Sequence, residues 1–312
     1  MKNKSIGLIL MLTSGLTFAI ATILIRSIQT YTTITAANIA AIRFIIATPI
    51  MWLLFFKTGI KPLANRKRLQ FILLGFVFSV ASFSAVFAID RISSSLFVII
   101  LFTYPSLVVI YSVLAKKPIP WLTPLALPLS LIGLVLAVSP FNGGLKIDTL
   151  GFLITLLNSV ALASYFILSS RLFEKQDSRM QGSLWVFIGS LIIGILVIPF
   201  ASFRLPANPL EWWLIIGYAT LGTIIPIVTA NVGINLLGAA QASMTNVIQP
   251  IATVLLSVLI FSDVMNFSQI LGSILVIGSV IVLQIYKRKT DNNPPKSTKF
   301  DPEQVNYEER TS

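Results

Sequence analysis

The chain contains no cysteine and no histidine. The first absence removes disulfides, thiolate metal sites and thiol nucleophiles, and the second removes imidazole ligands and the commonest general base. Charge is scarce too: only 11% of residues are Asp, Glu, Lys or Arg, and no Asp or Glu falls near the middle of a long apolar run. Long polar stretches between those runs are missing, so nothing between them is built to fold as a separate soluble domain. What remains is apolar: 55% of the 312 residues are hydrophobic and the mean hydropathy is +0.88. That is well above a soluble domain and reads as an integral membrane protein.

Ten runs are long enough to cross about 30 Å of hydrocarbon at about 1.5 Å per helical residue. They are 6–25, 35–56, 69–89, 94–115 and 121–139, then 149–170, 183–203, 212–232, 239–261 and 267–286. The first run, preceded by Lys2 and Lys4 and holding Ala19-Ile20-Ala21, imitates a cleavable signal. A matching segment at 151–170 cannot be a signal, so both are read as spans. The net charge of +12 could suggest a polyanion partner, but its placement argues for topology instead. With the amino terminus inside, the inner loops collect Lys57, Lys61, Arg66, Lys67, Arg68, Lys116, Lys117, Arg171, Lys175, Arg179 and the basic tail residues. The outer side keeps Arg26, Arg91, Lys146 and Arg204, which puts both termini in the cytoplasm of a cell-membrane protein. No nucleic acid is implied. Residues 287–312 turn polar and proline-bearing and are read as a disordered cytoplasmic tail, its Lys287-Arg288-Lys289 cluster facing anionic headgroups.

The stretch from Gly238 to Leu259 is apolar and helix-length, yet it carries Gln241, Asn246 and Gln249 and is interrupted by Pro250. Hydrocarbon offers those amides no partner, so they must meet protein or a wetted cavity. Pro250 lacks a backbone donor and frees a carbonyl one turn earlier, which predicts a bend or loosening there. The stretch from Ser93 to Leu114 echoes it. An offset of 145 lays Pro105 on Pro250, Ser112-Val113-Leu114 on Ser257-Val258-Leu259, Gly133 on Gly278, Ser14 on Ser159 and Arg26 on Arg171. One offset holding at both ends predicts a duplication, 1–145 and 146–286, each of five helices. Five is odd, so the second half enters from the opposite side. The predicted fold class is therefore an all-α membrane protein of ten transmembrane helices in two inverted five-helix repeats, an architecture that recurs in secondary transporters.

On these features the chain resembles the EamA branch of the drug/metabolite transporter superfamily over roughly residues 6 to 286. The two five-helix halves and the helices centred on Pro105 and Pro250 carry the resemblance, supported by Ala41-Ile42-Arg43-Phe44 and by Gln269, Gly272 and Gly278. Asp263 sits where the family tends to place an acidic residue after the ninth helix. The first half departs from the pattern, with Lys116-Lys117-Pro118 at the equivalent place and Leu127 or Pro128 opposite Gly272. The resemblance implies transport of amino acids, their relatives or other small metabolites, best read as export, through a central cavity, with the bilayer and a small solute as partners. A facilitator or exchanger for another neutral metabolite or drug is the alternative within that class. An intramembrane enzyme is the remote one, since no buried carboxylate, His or Cys is available to it. No cofactor or metal is called for; the oligomeric state is left open, with a monomer plausible.

Ala242, Asn246, Gln249 and Thr253 step by four, three and four residues and so share one helix face. Their mates Phe97, Leu101, Tyr104 and Val108 form an apolar and aromatic face. A cavity between them suits a solute with a ring or aliphatic body and a polar head; the plainer reading is helix-to-helix hydrogen bonding. Further candidates are Ser14 and Phe18 on the first helix, Asn158, Tyr165 and Ser169 on the sixth, Ser79, Ser82, Phe83 and Phe87 on the third, and Tyr218, Thr223 and Asn231 on the eighth, although isolated hydroxyls usually bond their own backbone. Arg43 is the one cation inside a span, and the resemblance implies an Arg at this place. It is expected to be a structural hub for carbonyls on a peripheral helix, with a carboxylate anchor as the sharper alternative. The lack of mid-span carboxylates predicts transport without ion coupling.

Overall fold

The fourth span of the first half is not one helix but two. In the computed structural model, residues 94–101 and 104–114 are separate helices with Phe102 and Thr103 between them. The fourth span of the second half divides the same way, into Ala239–Thr245 and Ile248–Phe261. Each break lies one turn before its proline, because the ring excludes the carbonyl four residues back and leaves it without a partner. In the first half that carbonyl is Leu101, and Ser159 Oγ donates to it at 2.8 Å. In the second it is Asn246, whose carbonyl accepts from the Gln249 backbone N at 2.9 Å.

The described residues are 2–56, 63–92, 94–116, 123–138, 148–174, 179–200, 203–246 and 248–261, with 267–268, 270–272, 274–275 and 278–279. The predicted tail, Asp263, Gln269, Lys117, Pro118, Lys57, Lys61, Lys146, Lys175 and most of the tenth span lie outside them. The helices are α1 (Lys2–Tyr31), α2 (Ala36–Phe56), α3 (Asn65–Ile89), α4 (Ser94–Leu101), α5 (Tyr104–Leu114), α6 (Thr123–Val138), α7 (Thr149–Glu174), α8 (Arg179–Val197), α9 (Pro209–Ala219), α10 (Ile225–Leu237), α11 (Ala239–Thr245) and α12 (Ile248–Phe261). Among the described residues there is no strand, and 6 helical segments are long and apolar enough to cross a bilayer alone. The ten-span expectation meets shorter pieces at the fourth and fifth spans, where α5 has 11 residues and α6 has 16.

The eighth span carries a local defect that leaves it continuous. A π-helical turn, Thr220–Ile224, joins α9 to α10. Pro226 at the start of α10 cannot donate back to Gly222, and the turn absorbs the mismatch; Thr223 Oγ1 donates to the Tyr218 carbonyl at 2.8 Å. Gly238, at φ +80°, then joins α10 directly to α11, a conformation that favours glycine.

Packing exchanges the first helix of each half. α1 packs on α10 and α12, while α7 packs on α3, α4 and α5; α2 meets α8 across the middle. Small residues let the backbones approach: a Cβ on Gly7 would lie 2.8 Å from Leu236 Cβ, and one on Gly233 would lie 2.6 Å from Met11. The main core cluster has Tyr104, Tyr165, Tyr218, Phe44, Phe71 and Phe166 among its largest buried side chains, and a small second cluster joins Val109, Leu127 and Met244. Outside it Leu53, Leu114, Trp213 and Leu259 are at least 75% exposed, a surface that water would not tolerate and lipid tails cover.

Candidate functional site

The helix breaks open onto a half-open cavity. α1 gives it Phe18, Ala21, Thr22 and Ile25; α3 gives Phe78, Ala81, Ser82, Ala85 and Ile89; α4 gives Phe97 and Leu101. From the second half come Asn158, Leu162, Tyr218, Gly222, Asn246 and Gln249, and from α2 comes Arg43. The wall is mainly rings and aliphatic side chains with a few polar groups, the usual make-up of a small-molecule site.

Of the sequence-predicted residues, Phe18, Ser82, Phe97, Leu101, Asn158, Tyr218, Asn246 and Gln249 line this cavity. Asn158 Nδ2 also donates to the Ala81 carbonyl at 2.6 Å, tying α7 to α3. Tyr104 sits behind Asn246, fully buried, accepting from Asn246 Nδ2 at 3.1 Å and donating to the Ser243 carbonyl at 3.4 Å. Tyr165 does not line the cavity. Its hydroxyl donates to Asn231 Oδ1 at 2.5 Å, Ser169 Oγ donates to the same oxygen at 3.3 Å, and Asn231 Nδ2 donates to Ser183 Oγ at 3.0 Å.

Ser14, Ser79, Phe83 and Gln241 are not among the lining residues either. Ser14 Oγ donates to the Pro226 carbonyl at 3.0 Å and Ser79 Oγ to the Gly75 carbonyl of its own helix at 2.9 Å, so both hydroxyls serve backbone. Phe83 belongs to the packed core. Gln241 is half-buried one turn before Thr245, whose hydroxyl donates to its carbonyl at 2.9 Å.

The expectation for Arg43 needs correction. It is not on a peripheral helix remote from the cavity but is part of the wall. The exchange of first helices is the reason: with α1 committed to the second half, α2 packs against α9 and the π turn and so faces the central space. Arg43 is 5% exposed; its Nη1 donates to Tyr218 Oη, and its guanidinium carbon lies 4.4 Å from the Phe44 ring centre and 4.9 Å from that of Tyr218. Nε and Nη2 have no hydrogen-bond partner. Two other wall groups share that condition, Ser82 Oγ and Asn246 Oδ1. Sequence reasoning missed Phe78, Thr22 and Gly222. For Gly222 the signal was Pro226, whose i−4 position it occupies.

Apolar spanning helices broken in mid-course, around a small cavity with few polar groups, define a membrane transporter of small molecules. A sequence model of the EamA-like transporter family matches residues 5–139 and again 149–285, and the chain belongs to that family. The two matched segments start 144 residues apart and end 146 apart, on either side of the 145 offset. A solved structure titled "Crystal structure of protein" has the same fold at TM-score 0.74 and 15% identity, covering 92% of this chain and 98% of that one. No curated protein matches.

Proposed function

We propose that the protein moves an amino acid or a related small metabolite across the cell membrane by alternating access, in the direction of export, without a coupling ion. The observation that carries this is the position of Asn246 and Gln249, two amides in the cavity wall at a helix break. Amides at such depth are costly unless partnered, and a polar solute supplies partners that lipid does not.

The wall also favours one state. With the termini cytoplasmic, α1 and α3 run outward, so a cavity reaching Ile25 and Ile89 opens toward the outer face. On its inner side the Tyr104 bonds to Asn246 and Ser243 join the two halves, and the Tyr165–Asn231 bond joins α7 to α10. The inverted relation of the repeats makes an inward-open counterpart of similar energy available. Among the described residues no carboxylate lines the wall, which supports uncoupled flow, since proton- and sodium-driven carriers generally use one.

The test is counterflow in liposomes with a panel of aromatic, aliphatic and charged amino acids. Wild-type protein should exchange at least one group, and Gln249→Leu should cut that exchange about tenfold or more while eluting as a folded species. Undiminished exchange by Gln249→Leu removes the amides from the site. Accumulation above equilibrium under an imposed proton gradient contradicts uncoupled transport.

A further inference from the structure

Arg43 is held in place by groups that do not neutralise it. Tyr218 Oη takes one Nη1 hydrogen, and the rings of Phe44 and Tyr218 lie against the guanidinium. Phenol and ring are neutral, and among the described residues no Asp or Glu lines the cavity. Two described carboxylates are committed elsewhere, Glu211 to Arg204 at 2.7 Å and Asp148 to Arg91 at 3.5 Å. A guanidinium 95% removed from water, with no anion beside it, is an expensive arrangement that a second-helix glutamine would avoid.

The donors left over are not arbitrary. Nε and Nη2 form one edge of the guanidinium, two parallel N–H groups spaced to receive both oxygens of a carboxylate. Elsewhere in the same wall the unpartnered atom has the opposite character. Asn246 gives its Nδ2 hydrogens to Tyr104 Oη at 3.1 Å and Gln249 Oε1 at 3.4 Å, leaving Oδ1 as an acceptor without a donor. The Tyr104 hydroxyl hydrogen is directed to the Ser243 carbonyl, so the amide must donate to Tyr104, which fixes which end of Asn246 is oxygen.

We infer that Arg43 is the carboxylate anchor of the transported solute, its Nε–Nη2 edge gripping both oxygens, and that Asn246 Oδ1 receives an N–H of the same molecule. The inference rests on the carrier reading above and narrows it: the solute is a monoanionic carboxylate carrying an amino or amide nitrogen and an apolar body. The single negative charge is that of the carboxyl end alone, since a neutral amino acid also carries an ammonium; one guanidinium matches one carboxylate, so phosphorylated and dicarboxylic solutes are disfavoured. Tyr218 is then a positioning residue, holding Nη1 so that the other edge is presented to the cavity.

The experiment compares each solute with its own carboxamide, which keeps shape and nitrogen but loses the carboxylate. Wild-type protein in liposomes is assayed by counterflow with phenylalanine and phenylalaninamide, and with leucine and leucinamide. The acids should exchange at least tenfold faster than the amides. Arg43→Lys, which keeps the charge and loses the two-pronged edge, should raise the apparent KM for the acids about tenfold or more and shrink the acid-to-amide preference. Amides exchanging as fast as acids in the wild type overturn the anchor and leave the carrier reading standing, without dependence on how any variant folds. Arg43→Lys with an unchanged KM and unchanged preference also overturns it. Exchange of none of the four solutes overturns the amino-acid reading and the anchor with it.

Discussion

Tyr165→Phe isolates the inner closure from the solute site, because Tyr165 is outside the cavity wall while its hydroxyl bridges α7 and α10. The substitution removes one hydrogen bond at 2.5 Å and leaves the ring packed against Phe78, at 5.1 Å between centroids. Asn231 Oδ1 keeps its bond from Ser169 Oγ at 3.3 Å, so the acceptor is not orphaned. Side-chain hydrogen bonds between membrane helices are worth about 0.6 kcal/mol on average and up to about 1.7. If the bond exists only in the state closed toward the cytoplasm, its loss multiplies the inward-open population by about 3-fold to about 18-fold at 25 °C, from the Boltzmann factor of those energies. The absence of native cysteine supplies the assay. A single cysteine at Ala242, fully buried one turn on the inner side of Asn246, reacts with a membrane-impermeant maleimide only when that side opens. Added from the cytoplasmic face, the reagent should label Tyr165→Phe faster by that factor. An unchanged rate in a folded variant, or a rise only from the outer face, would refute the assignment of this bond to the inner closure.

The α3–α8 seam and two ion pairs at helix ends give further tests. A Cβ at Gly75 would overlap the Val186 carbonyl and lie 2.9 Å from Gly189 Cα, and one at Gly189 would overlap the Ile72 carbonyl. Backbone atoms cannot rotate away, so Gly75→Ala and Gly189→Ala should each cost about 1–3 kcal/mol of stability in detergent, and the double variant less than the sum because one parting of the helices serves both. Gly217→Ala is the control: its Cβ meets only Leu24 methyls at 3.9 Å, and helix propensity should leave the thermal midpoint equal or higher. Glu211, 4% exposed, accepts from Arg204 Nη2 and from the Ala207 backbone N, both at 2.7 Å, so Glu211→Gln should lower the midpoint by the equivalent of about 1.5 kcal/mol. Arg91→Ala should cost less than about 1 kcal/mol, since its partner Asp148 is 40% exposed at 3.5 Å.

What the sequence disclosed is what single residues dictate locally. Pro105 and Pro250 announced two breaks because a missing N–H is a covalent fact, and the freed carbonyls lie where that fact puts them, at Leu101 and Asn246. Asn246 and Gln249 stood out because amides inside a span have no other explanation than protein, solute or water. Ser14 and Ser79 could not be sorted the same way: a serine hydroxyl can be satisfied by a nearby carbonyl, and the Pro226 and Gly75 carbonyls satisfy these. Arg43 was placed on the periphery because each half was pictured as packing within itself. Nothing in a linear pattern says that α1 and α7 change places.

That exchange determines which parts can move. α1 is fixed to α10 by the Ser14–Pro226 bond, and α7 is fixed to α3 by Asn158–Ala81 and to α4 by Ser159–Leu101. The packed bodies are therefore not the two sequence repeats but α1 with α9 to α12, and α7 with α3 to α5. The bonds just named lie within one body or the other and persist in any rigid rotation. Those between the bodies include Tyr165 to Asn231 and Asn246 to Tyr104, side chain to side chain, and both lie at or beneath the cavity. A rocking motion of one body against the other breaks the second kind and spares the first. On the proposed mechanism Asn246 then has two tasks that compete: its Nδ2 holds the inner closure through Tyr104 while its Oδ1, which has no donor among the described residues, receives the solute. A solute that draws on the oxygen turns the amide and weakens the nitrogen's bond, so on the proposed mechanism occupancy of the site itself lowers the barrier to opening the other side.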